Sequence, residues 1–188
     1  MFIQTEETPN PATLKFLPGM ILLEDGTLEF KSQEQAASNT LASKLFAEET
    51  VKGVFIGKDF LTVTKCESVK WEVLKPTLLS LILDHFSSGG EIEKTVLEPK
   101  STKRKIKYSK KDQKIVNKIN ELLEERIKPA VAQDGGDISF VKLQNGIVFL
   151  ELRGACSGCP SSTITLKSGI ENMLKYYIPE IDSVEAIN

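Results

Sequence analysis

The chain has 188 residues, 40% apolar and 27% charged, with a formal net charge of −2, a composition ordinary for a soluble globular protein of one or two domains. The longest apolar run, Leu78–Leu83 interrupted by Ser80, is far too short to span a bilayer. Three cysteines, an odd number, do not make a secreted disulfide framework, so a reducing compartment is expected.

Met1-Phe2-Ile3 opens directly into a predicted strand, and neither a signal peptide nor an Arg- and Ser-rich transit segment is read ahead of it. Thr13–Leu17 and Met20–Leu23 flank a Pro18-Gly19 turn, and Thr27–Phe30 follows a second turn at Asp25-Gly26; all three are predicted strands. Ser32 to Ala47 has helical spacing, with Ser32 and Gln35 as a weak capping box and Ala37, Leu41, Leu45 and Phe46 on one face. Val51–Ile56 and Phe60–Lys65 are rich in β-branched residues and predict a hairpin. A second helix carries Trp71, Leu74, Leu78, Leu81, Ile82 and Phe86 at helical spacing and stops at Ser88-Gly89-Gly90. Residues 1–90 therefore form a first α+β domain.

Residues 91–111 have no apolar period, contain Pro99 and are basic, as a flexible linker would be. Within them, residues 100–111 carry seven of the chain's 24 basic side chains and no acid, which leaves the rest of the chain acidic. A basic run can mark a nucleic-acid contact, but this one has no aromatic beyond Tyr108, and a solvated linker is the expected reading.

The second domain, residues 112–188, restarts with a helix from about Asp112 to Ile127, its regular pattern ended by Lys128-Pro129. Asp134-Gly135-Gly136-Asp137 reads as a turn, which explains its two aspartates more simply than a calcium or acid–base role. Ile138–Leu143 and Gly146–Leu152 are strands joined at Asn145-Gly146, a strong hairpin signal. A helix from Pro160 to about Tyr177 follows, with Ile164, Ile170, Met173, Leu174 and Tyr177 expected inward, and Ser183–Ile187 closes the domain as a strand. The order α-β-β-α-β within about 75 residues predicts a three-stranded mixed sheet backed by helices. The fold class is α+β, with two small α/β-sandwich-like domains.

Between the last long strand and the last helix lies Cys156-Ser157-Gly158-Cys159-Pro160. Two residues between cysteines let both sulfurs reach one metal centre from a tight turn. Gly154 and Gly158 let the loop turn, and Pro160 suits the first helical position. The helix N-terminus behind Cys159, with free N–H groups near Ser161 and Ser162, favours thiolate, so an exposed thiol pair of low pKa is expected. Three readings compete. Structural zinc needs four Cys/His ligands, and the remaining candidates, Cys66 and His85, fall in the other domain. A thioredoxin-like dithiol normally has proline between its cysteines and a βαβ context, both missing here. Iron–sulfur clusters take four thiolates, which two copies of the loop would supply across a symmetric dimer.

The residues Gly154–Ser162 (GACSGCPSS), followed by Thr163–Met173 (TITLKSGIENM) and preceded by Asp134–Asp137, closely resemble the C-terminal NifU domain of Nfu-type iron–sulfur scaffold proteins. Phe2–Thr5, Thr8–Pro11, Leu14–Phe16, Pro18-Gly19, Val51–Phe55 and Leu74–Pro76 are similar to the N-terminal domain of the mitochondrial and alphaproteobacterial members. The resemblance covers nearly the whole chain apart from the linker. It implies a non-enzymatic scaffold or carrier in which two monomers hold a [4Fe–4S] cluster between their Cys156/Cys159 pairs. On that reading Cys156 and Cys159 are the metal and cluster ligands, with [2Fe–2S] as the alternative cargo because both cluster types use four thiolates. The implied partners are a second copy of the chain, upstream cluster donors and apo iron–sulfur enzymes; no membrane or nucleic acid is implied. A bacterial cytoplasmic location is expected, with the mature mitochondrial matrix form as the alternative.

The remaining singular residues have plainer readings. Cys66, at a strand end, is a small core or edge residue; His85, near a helix C-terminus, complements the dipole; and Trp71 with the apolar stripe behind it is core. Thr8-Pro9-Asn10-Pro11 is a rigid turn without a catalytic role. Two rival functions use the same features. One is a dithiol oxidoreductase cycling a Cys156–Cys159 disulfide, the other nucleic-acid binding through residues 100–111.

Overall fold

The computed structural model describes residues 2–93, 108–157 and 160–187, with only the backbone for residues 160–163. Most of the segment read as a linker, residues 94–107, thus lies outside the described residues. The chain divides into two units, Met1–Leu97 and Glu98–Asn188, and both are mixed α+β.

In the first unit, strands β1 (Gln4–Glu7), β2 (Thr13–Leu17), β3 (Leu28–Phe30), β4 (Val51–Ile56) and β5 (Leu61–Lys65) form an antiparallel sheet ordered β1-β2-β5-β4-β3. Strand period two sends Leu14 and Phe16, Val54 and Ile56, and Leu61 and Val63 to one face. There they meet Leu41 and Leu45 of one helix and Leu74, Leu78 and Ile82 of another. Each such fully buried side chain contributes about 1.5–3 kcal/mol of hydrophobic stabilisation.

The predicted helix over Ser32–Ala47 is two helices, α1 (Gln33–Ala36) and α2 (Thr40–Phe46). Asn39 breaks it. Its fully buried side chain accepts the Ala42 N–H at 2.9 Å, so it caps α2 instead of continuing α1, and Ala36 rather than Ala37 is buried. Half of the Ser32/Gln35 capping box forms: the Ser32 hydroxyl accepts the Gln35 N–H at 3.4 Å, while the Gln35 side chain accepts the N–H of Lys31, one residue ahead of the cap, at 2.8 Å. Met20–Leu23, expected as a strand, is irregular. The Leu22 and Leu23 N–H groups both donate to the Lys58 carbonyl, and two adjacent leucines bury while Met20 and Ile21 stay exposed, which defeats strand alternation.

Helix α3 (Trp71–Ser87) ends as expected at Ser88, but two of its side chains differ from their predicted roles. His85 is buried, with its ring Nε2 placed 3.2 Å from the Glu91 carbonyl. The ring packs so closely over Gly90 that a Cβ there would lie 2.6 Å from it. It is a core side chain pinning the exit from α3, not a solvent-facing partner of the helix dipole. Trp71 is half-buried, its indole N–H donating to the Pro11 carbonyl at 3.0 Å. Beyond Gly90, Ile92 packs on the core, and the Glu93 carboxylate accepts the Thr40 N–H at the α2 N-terminus at 2.9 Å, so the described start of the linker region is held by the first unit.

The second unit opens with α4 (Lys110–Leu122), capped by Ser109, which accepts the Asp112 N–H at 3.1 Å. Tyr108 just ahead of it accepts the Leu143 N–H at 3.1 Å through its hydroxyl, an intramolecular anchor for the one aromatic of the basic run. Pro129 does not end the helical run as expected. Leu123–Ile127 widens into a π turn, in which the Lys128 N–H bonds to the Leu123 carbonyl five residues back, and α5 (Lys128–Gln133) continues. The wider turn accommodates a proline that has no N–H to give and whose ring would crowd a carbonyl in a regular α turn.

The sheet of this unit contains β6 (Gly136–Gln144), β7 (Ile147–Gly154) and β8 (Ser183–Ile187), with β7 central, antiparallel to β6 and parallel to β8. Parallel pairing requires a crossover, supplied by α6 (Pro160–Tyr177). Val148, Leu150 and Leu152 point inward at period two and meet Ile119, Leu123, Ile170 and Leu174. Ile164, expected inward, is instead 66% exposed. The β6–β7 turn has Asn145 at φ 51° and Gly146 at φ 75°, the backbone of a type I′ hairpin. A Cβ on Gly146 would also strike the Asp182 carboxylate. Gly146→Ala is therefore expected to cost about 1–3 kcal/mol through strain and collision, read as an earlier thermal transition of the second unit.

Candidate cluster-ligand loop

Strand β7 delivers the loop. Its inward parity runs Val148, Leu150, Leu152, Gly154, and beyond the strand Ala155 and Cys156 are both buried. Gly154 has φ 65°, a left-handed conformation that glycine adopts without cost, and the strand turns there. The Gly154 carbonyl accepts both the Ser157 N–H at 3.1 Å and the Ser157 hydroxyl at 2.9 Å. The Ala155 N–H donates to the Gly135 carbonyl at 3.1 Å and ties the loop to the α5–β6 junction. Pro160 stands in the first position of α6, as its spacing predicts. Cys159 and Gly158 lie outside the described residues.

Cys156 is not the exposed, low-pKa thiol expected from the sequence. It is 5% exposed, packed in the core of the second unit. Burial pushes its thiol up, with the nearby charges of Asp134 and then Asp137 adding to the effect, to about 12. The cause is Asp134-Gly135-Gly136-Asp137, read from the sequence as no more than a turn. Gly135, at φ 81°, needs glycine for the turn itself. Gly136 does not; it has ordinary strand backbone, and a Cβ there would lie 2.7 Å from the Cys156 Sγ and 2.7 Å from the Arg153 carbonyl oxygen. The second glycine is the seat on which Cys156 rests. Two consecutive glycines where the turn uses one were the signal available in the sequence.

The other singled-out cysteine behaves differently. Cys66 follows β5 in the first unit, half-exposed, with its Sγ 2.9 Å from the Ser68 hydroxyl, which holds the thiol below its usual value. The fold does not bring Cys66 or His85 into the unit that carries Cys156. Thr8–Pro11 is an internally bonded turn, as expected: Thr8 Oγ1 donates toward the Thr13 carbonyl and Asn10 Oδ1 accepts the Ala12 N–H. With Trp71, Glu72 and Lys75 it borders an open groove of about 570 Å³. Among the described residues no group of three or more His, Cys, Asp or Glu is placed to hold a metal ion. No helix of the described residues is long and apolar enough to cross a membrane.

Comparison with known proteins assigns this arrangement to a class. Residues 3–89 match the family described as "Scaffold protein Nfu/NifU N terminal", and residues 119–185, which contain the loop, match "NifU-like domain". A Homo sapiens protein named "NFU1 iron-sulfur cluster scaffold homolog, mitochondrial" is 47% identical over all 188 residues and 72% of its own length. A Drosophila persimilis protein of the same name is 46% identical, and the chain spans 65% of it. A solution structure of a NifU-like protein from Saccharomyces cerevisiae, 29% identical, covers 50% of this chain and 85% of that one at a TM-score of 0.45. The chain carries both family domains in this order. The chain belongs to the Nfu family.

Three outcomes follow from the seating of Cys156. With the protein metal-free and reduced, iodoacetamide at pH 8 is expected to modify Cys66 roughly tenfold or more faster than Cys156, read by peptide mass spectrometry. The raised Cys156 pKa also sets a pH window. The folded state favours the neutral thiol, so this contribution to stability is complete below the ordinary cysteine value near 9 and is lost as pH climbs toward 12. Gly136→Ala is expected to cost about 1–3 kcal/mol and to accelerate Cys156 alkylation, because the added methyl displaces the sulfur from its seat. Unchanged alkylation in that variant would refute the contact.

Proposed function

We propose that two copies of this chain hold one [4Fe–4S] cluster, carried as cargo, between their Cys156 and Cys159 pairs and pass it to apo-proteins. The observation that carries this reading is the single Cys-Ser-Gly-Cys loop per chain, seated between the central strand and the N-terminus of α6. A cluster of this kind takes four thiolates, and one loop offers two. Soft thiolates fit iron–sulfur cargo, and the positive end of α6 favours an anionic cluster beside it. The family membership supports a non-catalytic carrier.

Loading requires Cys156 to leave its seat on Gly136 and turn outward. Gly154, already in the left-handed region, and the short loop behind it are the backbone available for that turn. Burial of the Cys156 side chain opposes loading and favours release. When acceptor thiolates displace those of the carrier, Cys156 regains its packing and each outgoing thiolate takes up a proton, with no change in iron oxidation state. Separation of the two chains removes half of the cluster's ligands, so the site is labile by construction. The first domain recognises donors or acceptors. The label "mitochondrial" on the relatives supports a matrix location; the bacterial cytoplasm is the alternative.

Anaerobic reconstitution with iron and sulfide tests the reading. The expected product is a brown dimer with about four iron and four sulfide per two chains, the content of one [4Fe–4S] cluster shared by four thiolates. Cys156→Ser and Cys159→Ser are each expected to abolish retention while leaving the circular dichroism of the fold intact. A variant that keeps a full cluster would overturn the ligand assignment. A colourless monomer with a reversible internal disulfide would overturn the carrier reading in favour of dithiol chemistry.

A further inference from the structure

Helix α6 presents three kinds of surface. Ile170 and Leu174 enter the core. Its charged side chains Lys167, Glu171 and Lys175 are engaged within the unit. Lys167 pairs with Glu185 of β8 at 3.0 Å, and Glu171 bonds both Lys175 and the Val184 N–H. The third surface is a four-residue-spaced ridge, Ile164, Ser168, Asn172 and Tyr176, with Gly169 beside it. Every one of these five residues is exposed and none is charged; Ile164 is 66% exposed and Tyr176 79%.

Two features of this ridge are not accounted for by packing among the described residues. Gly169 occupies a helix interior, where glycine costs about 1 kcal/mol relative to alanine. Its backbone is not left-handed, and a Cβ at that position would meet nothing within 4 Å. Ile164, an apolar side chain left in water, stands four residues after Pro160 and so about 6 Å along the helix axis from the start of α6, at 1.5 Å per residue.

We propose that this ridge of α6 is the contact between two copies of the chain in the cluster-loaded state, Ile164 beside the cargo and Gly169 forming the groove into which the partner's ridge packs. The inference rests on the two-copy reading above. One cluster ligated by two Cys156/Cys159 pairs puts the N-termini of two α6 helices on either side of it, so the exposed faces of their first turns become neighbours. A two-fold contact sets a patch against itself, and a patch of one charge sign would repel its copy; an uncharged ridge does not. Ridge-into-groove packing of two helices needs small residues where the ridges cross, which Gly169 and Ser168 supply. One helix face of this length buries well under the roughly 1,200 Å² typical of stable pairs, so the contact closes only when the cluster bridges it.

The test uses the full chain with both cysteines intact. Ile164→Glu sets two carboxylates against each other next to the cargo. Gly169→Gln fills the groove while improving helix propensity, which guards against loss of the fold. Wild type and both variants are reconstituted anaerobically, and dimer dissociation is measured by sedimentation alongside iron and sulfide content. Each variant is expected to weaken the loaded dimer by roughly tenfold or more, about 1.4 kcal/mol, with apo circular dichroism unchanged. Amide exchange over residues 164–176 is expected to slow on loading in wild type only. Variants that load and dimerise like wild type, with no slowing of exchange over the ridge, would overturn this contact and leave the two-copy reading standing. A wild type that takes up its cluster as a monomer would overturn both.

Discussion

The contact between the Cys156 sulfur and the backbone of Gly136 governs the second unit of this chain. It joins the end of β7 to the start of β6, and through the Ala155 N–H on the Gly135 carbonyl it holds the ligand loop against the α5–β6 junction. Any side chain on residue 136 would collide with both the sulfur and the strand behind it. Ala155 and Cys156 are therefore part of the core. A small, apolar, buried thiol is a comfortable core residue, and on the reading proposed above the same atom would ligate a cluster only when it is outside.

On the proposed reading, that double identity makes loading reversible. A permanently exposed thiolate pair would bind metal tightly and invite oxidation, whereas one buried too well would never load. Here the buried state is stabilised by packing and by the lack of water around a would-be anion, with two aspartates adding to the resistance. On the reading proposed above, the opposing terms on the loaded side are iron–thiolate bonding, the positive end of α6 and the contact between two helices. The first and the last depend on the cargo or on a second copy, so both vanish together with the cluster.

The first unit is stabilised by more conventional means. Asn39 and Glu93 complete the N-terminus of α2, while His85 and Gly90 pin the chain as it leaves α3. Asn39 and His85 are buried and hydrogen-bonded, as an interior demands, while Glu93 acts from the surface. They explain why the chain stays attached to this unit through residue 93, beyond the point where its apolar periodicity ends.

The sequence by itself determined most element types, the irregular Met20–Leu23 aside, together with the hairpin at Asn145-Gly146, the mixed three-stranded sheet and the Cys156/Cys159 motif, since these rest on local signals: period, turn residues and ligand spacing. It could not show that Asn39 would rather cap than continue a helix, because capping depends on which groups are buried around it. It misjudged Pro129, since relief through a π turn is a cooperative adjustment of the whole helical run. It placed Ile164 inward because helical periodicity alone does not say where the core ends. The state of Cys156 was the largest gap. Helix position and neighbouring glycines point to a thiolate, but burial is a property of the assembled sheet, and only the meeting of Gly136 with the end of β7 decided that the sulfur rests inside.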